Sequence, residues 1–99
     1  MVAMKKFKKH RASIEFEYEF EDKTVGVFTY LSTTTNQMER AFEIKETDTK
    51  GQLEYVISLL KENIVGDRVD DLITELKEGN IFDFKAELES ELGKQKKKR

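Results

Sequence analysis

The sequence predicts an α+β fold in which an N-terminal β-hairpin is followed by about four short amphipathic helices that form a small bundle. Two patterns predict this fold. In the first third of the chain, apolar and acidic residues alternate, which is the period of a strand with one solvated face. Further along, apolar residues recur at steps of three and four, so they stack on one face of a helix.

The predicted hairpin spans residues 13–31. Its first strand alternates an apolar set with glutamates: Ile14, Phe16, Tyr18 and Phe20 against Glu15, Glu17, Glu19 and Glu21. Asp22 and Lys23 separate it from a second strand rich in β-branched and aromatic residues, so a two-residue turn is expected. That turn places Phe28 and Tyr30 on the glutamate face. A register shifted by one residue would turn both aromatics inward. The shift would expel the other apolar set, Val25, Val27 and Leu31.

The helices are expected at about residues 36–46, 50–65, 67–78 and 81–92. The second has the most regular apolar stripe: Leu53, Val56, Ile57, Leu60 and Ile64. Thr34 with Gln37 fits a capping box, and Asp67 and Asn80 are expected to cap the third and fourth helices. Helix ends are expected at three glycines, Gly66, Gly79 and Gly93.

Charge divides the chain into a basic segment at residues 1–11, a single domain at 12–93 and a basic segment at 94–99. Neither basic segment contains an acidic residue, which leaves 8 basic and 20 acidic residues in the domain. The simplest interpretation is two solvated, mobile tails on an acidic body. The alternative is that the tails bind polyanions or the acidic body of a neighbouring subunit.

No residue cluster indicates a reaction, so the chain is expected to be no enzyme and to bind no cofactor or metal. It has no Cys and a single His, His10, which lies among lysines. The glutamates of the first strand are interpreted as a solvated face. No apolar run is long enough to cross a bilayer and no secretion signal is visible, so a cytoplasmic protein without a membrane partner is expected.

The two helices at residues 53–76 could be mistaken for a DNA-reading helix-turn-helix. The segment 67–78 has five acidic and two basic residues, so phosphates would repel it. Only the basic ends could hold nucleic acid.

Association with other proteins is the function class that remains. A 99-residue chain with 37% hydrophobic and 38% charged residues can build only a thin core, so a homo-oligomer is expected. Surplus aromatics and the stripe of the second helix are the candidates for a contact surface. The predicted interaction residues are Phe28, Tyr30, Leu53, Val56, Leu60 and Phe82.

The layout resembles tail assembly chaperones of long-tailed bacteriophages, which pair an N-terminal hairpin, here Ile14–Leu31, with several short amphipathic helices. The run from Leu76 to Phe84, LKEGNIFDF, followed by a charged helix, is similar to the C-terminal half of some of them. The resemblance implies a non-enzymatic protein in the host-cell cytoplasm. It would form oligomers and coat the long helical tape-measure protein until the tail tube assembles. The alternative is a small regulatory protein that binds nucleic acid through its basic termini.

Overall fold

A computed structural model describes residues 4–97, so residues 1–3 and 98–99 of the two predicted tails lie outside the described residues. The elements in chain order are β1 (Ser13–Glu19), β2 (Val25–Leu31), α1 (Thr35–Phe42), α2 (Thr49–Asn63), β3 (Ile64–Val65), α3 (Val69–Glu78) and α4 (Ile81–Lys97). The predicted α+β architecture, a hairpin followed by four helices, is therefore confirmed. No helix within residues 4–97 is long and apolar enough to cross a membrane.

The three strands form an antiparallel sheet in the order β1-β2-β3, with β2 in the centre. The hairpin turn is one residue longer than predicted. The Phe20 N–H donates to the Thr24 carbonyl at 2.8 Å, and the Lys23 N–H donates to the Phe20 carbonyl at 2.9 Å. Lys23 has a φ of 74°, as expected where a type I turn is followed by a left-handed residue in a three-residue loop. The predicted two-residue turn is wrong.

The longer turn shifts the pairing by one residue. Ile14 lies opposite Tyr30, and Phe16 lies opposite Phe28. Both aromatics of β2 therefore point toward the helices and are buried, so their predicted position on the glutamate face is wrong. The Phe16 and Phe28 rings stack with their centroids 5.5 Å apart.

Strand β3 was not predicted, because Ile64 continues the apolar stripe of α2 and Val65 follows it directly, ahead of Gly66. The chain instead becomes extended after Asn63, and Ile64 pairs with Tyr30 in the sheet. Gly66 is thus not a helix end. A Cβ built on it would lie 2.4 Å from Cδ1 of Phe28, so the backbone passes against this ring.

Helix caps follow the predictions in part. The Thr34–Gln37 capping box is present, and the Asn80 carboxamide oxygen accepts from the Phe82 and Asp83 N–H groups. The residue before α3 is Arg68, without a side-chain cap bond, so the predicted cap at Asp67 is wrong. Helix α4 continues through Gly93, because the Lys and Gln residues that follow are good helix formers.

The core lies between the inner face of the sheet and helices α2, α3 and α4, whereas the main contacts of α1 are with α2. Its buried members are Ile14, Phe20, Phe28, Tyr30, Val56, Leu60, Ile64, Leu72, Ile73, Leu76, Ile81, Leu88 and Leu92. No helix of the described residues covers the opposite, outer face of the sheet, and the valines on that face are exposed.

Candidate functional site

Four of the six predicted interaction residues lie in the core. Phe28, Tyr30, Val56 and Leu60 are each at most 6% exposed. The shifted register buries the two aromatics, and the stripe of α2 packs against the sheet and α4 instead of facing solvent. A partner cannot reach these four side chains in this fold, so their prediction as surface residues is wrong.

The other two predicted residues remain accessible. Leu53 is half-buried and Phe82 is 42% exposed, and both line a shallow cleft at the start of α4. Gly79 and Asn80 complete this cleft. Its volume is about 260 Å³.

Another exposed apolar surface is the outer sheet face, which we define by its β2 residues, Val25, Val27, Thr29 and Leu31, with Val65 of β3 beside them. Val25 is 54% exposed, Val27 61% and Val65 58%. Val65 pairs with Thr29 across the β2–β3 ladder, so the apolar side chains are contiguous. The sequence contains the signal for this surface, since one register of the hairpin expels these valines.

Carboxylates border the outer sheet face along β1. Glu19 pairs with Val25, Glu17 with Val27 and Glu15 with Thr29. These glutamates are exposed and form no ion pair within the described residues. The surface is thus an apolar stripe with an acidic margin.

A second surface, which we call the edge groove, runs between β1 and α4 and has a volume of about 380 Å³. Its floor contains Phe16 and Phe84, whose ring centroids lie 5.9 Å apart. Four glutamates line it: Glu15 and Glu17 of β1, and Glu87 and Glu91 of α4. The edge groove therefore combines an aromatic floor with acidic walls.

A segment rich in basic residues precedes β1 in the chain. The segment 4–10 has no regular structure and is exposed; the Phe7 side chain is 82% accessible. Arg11 ends it with two hydrogen bonds, from Nε to the Ser32 carbonyl at 2.9 Å and from Nη2 to Asn63 Oδ1 at 2.6 Å. The last residue of the predicted N-terminal tail is thereby attached to the domain.

Two further exposed apolar side chains, Met38 and Phe42, lie one turn apart on α1. Helix α1 instead turns its buried Gln37 toward α2, where the Gln37 amide binds Asn63. Sequence reasoning did not single out Met38 and Phe42 as interaction residues. Their helical spacing was the available signal.

The ionisable groups of the described residues do not converge on one point. No group of three or more His, Cys, Asp or Glu side chains among residues 4–97 is arranged to hold a metal ion. Burial raises the pKa values of Tyr18, Tyr30 and Tyr55, which keeps these hydroxyls neutral. The two surfaces that combine apolar or aromatic side chains with an acidic border are the outer sheet face and the edge groove.

Comparison of the chain with protein-family models, with curated proteins and with solved structures finds no match.

Proposed function

We propose that the protein is a non-enzymatic binding protein that holds an amphipathic helix of another protein on its outer sheet face. The observation that supports this is the contiguous exposure of Val25, Val27 and Val65. Burying such side chains in a partner stabilises the complex by about 25 cal/mol per Å² of apolar surface removed from water.

The dimensions of the outer sheet face favour a helix as the ligand. From Val25 to Leu31 the stripe is about 20 Å long, at about 3.3 Å per strand residue. A helix of about 13 residues has the same length, at about 1.5 Å per residue. Such a helix would place apolar residues at steps of three and four along the stripe.

The acidic residues beside the stripe indicate which charges the ligand helix should carry along one side. Glu15, Glu17 and Glu19 run beside the stripe, so a helix with lysines or arginines along one margin of its apolar face fits best. The resemblance to tail assembly chaperones supplies a concrete candidate, the long helical tape-measure protein of a bacteriophage tail. In this proposal, copies of the protein form oligomers and coat that helix in the host cytoplasm until the tail tube assembles.

The test uses a synthetic amphipathic helix with an apolar stripe and one lysine-rich margin, titrated into the full ¹⁵N-labelled chain. We expect the amide signals of β2 and β3 to shift. The double variant Val25→Thr, Val27→Thr keeps the shape and strand preference of the side chains but removes two apolar groups from the surface. It should weaken binding at least about tenfold, which corresponds to about 1.4 kcal/mol.

The matched control is the double variant Met38→Thr, Phe42→Thr, which removes exposed apolar groups from α1. Binding by this control should equal that of the parent protein. Equal binding by the β2 double variant, or signal shifts confined to α1, would contradict the proposal. For the bacteriophage role, a long helical protein should co-purify with the chain from its native source and be lost with the β2 double variant.

A further inference from the structure

We infer that the basic segment 4–10 of one copy of the chain binds in the edge groove of a second copy as an added β-strand. The proposal concerns a different surface from the outer sheet face and does not rest on the helix-binding function. It identifies how the protein would associate with itself.

Strand β1 has an open edge. In an antiparallel pair, hydrogen-bonded residues alternate along the strand. The main chain of Phe20 bonds to that of Thr24, and the main chain of Ala12 bonds to that of Ser32. The N–H and C=O groups of the even-numbered residues of β1 therefore point toward β2. The N–H and C=O groups of Glu15 and Glu17 therefore point away from the sheet, and no described residue bonds to them. Such an edge accepts an extended chain.

The walls of the edge groove select a basic occupant. Glu15 and Glu17 lie on the β1 side, and Glu87 and Glu91 lie on the α4 side, above the Phe16–Phe84 floor. Lys94 binds Glu91 at 3.1 Å from the next turn of α4, but no basic residue lines the edge groove itself. An occupant that supplies both positive charge and an aromatic side chain complements this composition.

The segment 4–10 has that composition. Its central residues are Lys5, Lys6, Phe7, Lys8 and Lys9. In an extended strand, Lys5 and Lys9 lie on the same face as Phe7, and Lys6 and Lys8 lie on the opposite face. One face of the added strand meets the glutamates of β1 and the other meets those of α4. Both faces thus place two lysines near carboxylates, whichever set points inward.

The occupant comes from a second copy because the segment cannot fold back onto its own strand. Ala12 accepts from the Ser32 N–H at 2.9 Å, and Arg11 Nε donates to the Ser32 carbonyl, so the chain still follows β2 where β1 begins. Lys9 and His10 then line a cavity with residues 32–36, which follow β2 in the chain, and neither lines the edge groove. The radius of gyration of 16.2 Å, against about 13 Å for a compact 100-residue domain, agrees with projecting ends. Reciprocal exchange between two antiparallel copies closes a two-fold dimer.

The first experiment is sedimentation equilibrium of the full chain, which should show a dimer that salt weakens. Two charge-reversal variants test the two sides of the proposed contact separately. The segment variant replaces Lys5, Lys6, Lys8 and Lys9 with Glu, outside the folded domain. The groove variant replaces Glu15, Glu17, Glu87 and Glu91 with Lys. Each variant alone should raise the dimer Kd at least about tenfold, and an equimolar mixture of the two should form a heterodimer.

A control variant, Glu39→Lys with Glu43→Lys and Glu54→Lys, reverses three exposed charges on α1, directly after α1 and on α2, and should dimerise like the parent chain. Circular dichroism establishes that each variant is folded. Because the chain has no Cys, a nitroxide label attached to Phe7→Cys reports where the segment binds. When the spin-labelled protein is mixed with ¹⁵N-labelled chain that carries no nitroxide, the nitroxide should broaden the amide signals of β1 and of residues 84–91. A label at Glu39→Cys should not.

Three outcomes would overturn the inference. One is a full chain that stays monomeric at about millimolar concentration. Another is a dimer that persists in the segment variant. The third is binding of single-stranded nucleic acid by the segment, together with self-association that is the same in the segment variant as in the parent chain. A monomer that still binds the synthetic helix on β2 would reject this inference alone, whereas a dimer that ignores the helix would reject the proposed function alone.

Discussion

The side-chain amides of Gln37 and Asn63 bind each other through two hydrogen bonds. Gln37 Nε2 donates to Asn63 Oδ1 at 2.8 Å, and Asn63 Nδ2 donates to Gln37 Oε1 at 3.0 Å. Asn63 is fully buried at the junction of α2 and β3, and Arg11 also donates to it. Because the main contacts of α1 are with α2, this pair fixes the position of α1 and the start of the hairpin together.

Replacing Asn63 with Ala should therefore lower the free energy of unfolding by about 2–3 kcal/mol, since buried donors and acceptors lose their partners. Chemical denaturation followed by circular dichroism measures the change. The control is Asn36→Ala, because Asn36 is exposed on the first turn of α1. Similar free energies of unfolding for the two variants would show that the amide pair contributes little.

Gly66 and Gly93 provide a matched pair of Gly→Ala substitutions with opposite expected signs. At Gly66 the added Cβ would lie 2.4 Å from the buried Phe28 ring, so the core must shift, at a cost of about 1–3 kcal/mol. At Gly93, inside α4, the Cβ meets nothing within 4 Å, and Ala should stabilise the helix by about 0.5–1 kcal/mol. Thermal unfolding compares them, and a stabilising Gly66→Ala would refute the close approach.

The periodicity of the sequence predicted the elements well because each apolar stripe is local. The capping box at Thr34 and the cap at Asn80 were also predictable, since each needs only residues three positions apart. Strand β3 was not predictable in this way. Ile64 fits the stripe of α2, and the pairing of Ile64 and Val65 with β2 joins residues that are distant in sequence.

The candidate site depended on a single local choice that the sequence leaves open. Both registers of the hairpin bury apolar side chains, and the conformation of Lys23 decides between them. With the three-residue loop, Phe28 enters the core and Val27 becomes exposed. One turn residue thus decides whether the aromatics or the valines of β2 are exposed, which composition alone does not reveal.

That turn gives a direct prediction at Lys23, which adopts a left-handed conformation with a φ of 74°. Glycine adopts this conformation without the Cβ strain, so Lys23→Gly should raise the free energy of unfolding by up to about 1 kcal/mol. The control Glu54→Gly, at an exposed position in the middle of α2, should lower it by about 1 kcal/mol. A destabilised Lys23→Gly protein would indicate that the loop is not the three-residue type.

Acid stability should depend on Glu62, which receives a hydrogen bond from Gln37 Nε2 at 3.0 Å and an ion pair from Arg40 at 3.2 Å. The Gln37 bond first, and then Arg40, hold the pKa of Glu62 below its ordinary value of 4.5. The unfolded chain therefore takes up this proton at a higher pH than the folded chain. The stabilisation is present above about pH 4.5 and is lost as the pH falls through the folded pKa.

The variant Glu62→Gln should accordingly show a smaller drop in the free energy of unfolding between about pH 7 and about pH 3 than the parent chain. The difference will be small, because the pair is partly exposed to solvent and screened by it. The control is Glu54→Gln, an exposed residue about two turns earlier on α2, which should keep the parental pH dependence. Urea denaturation at several pH values measures all three proteins. Identical profiles for the parent chain and Glu62→Gln would show that the Gln37–Glu62–Arg40 contact does not stabilise the folded state.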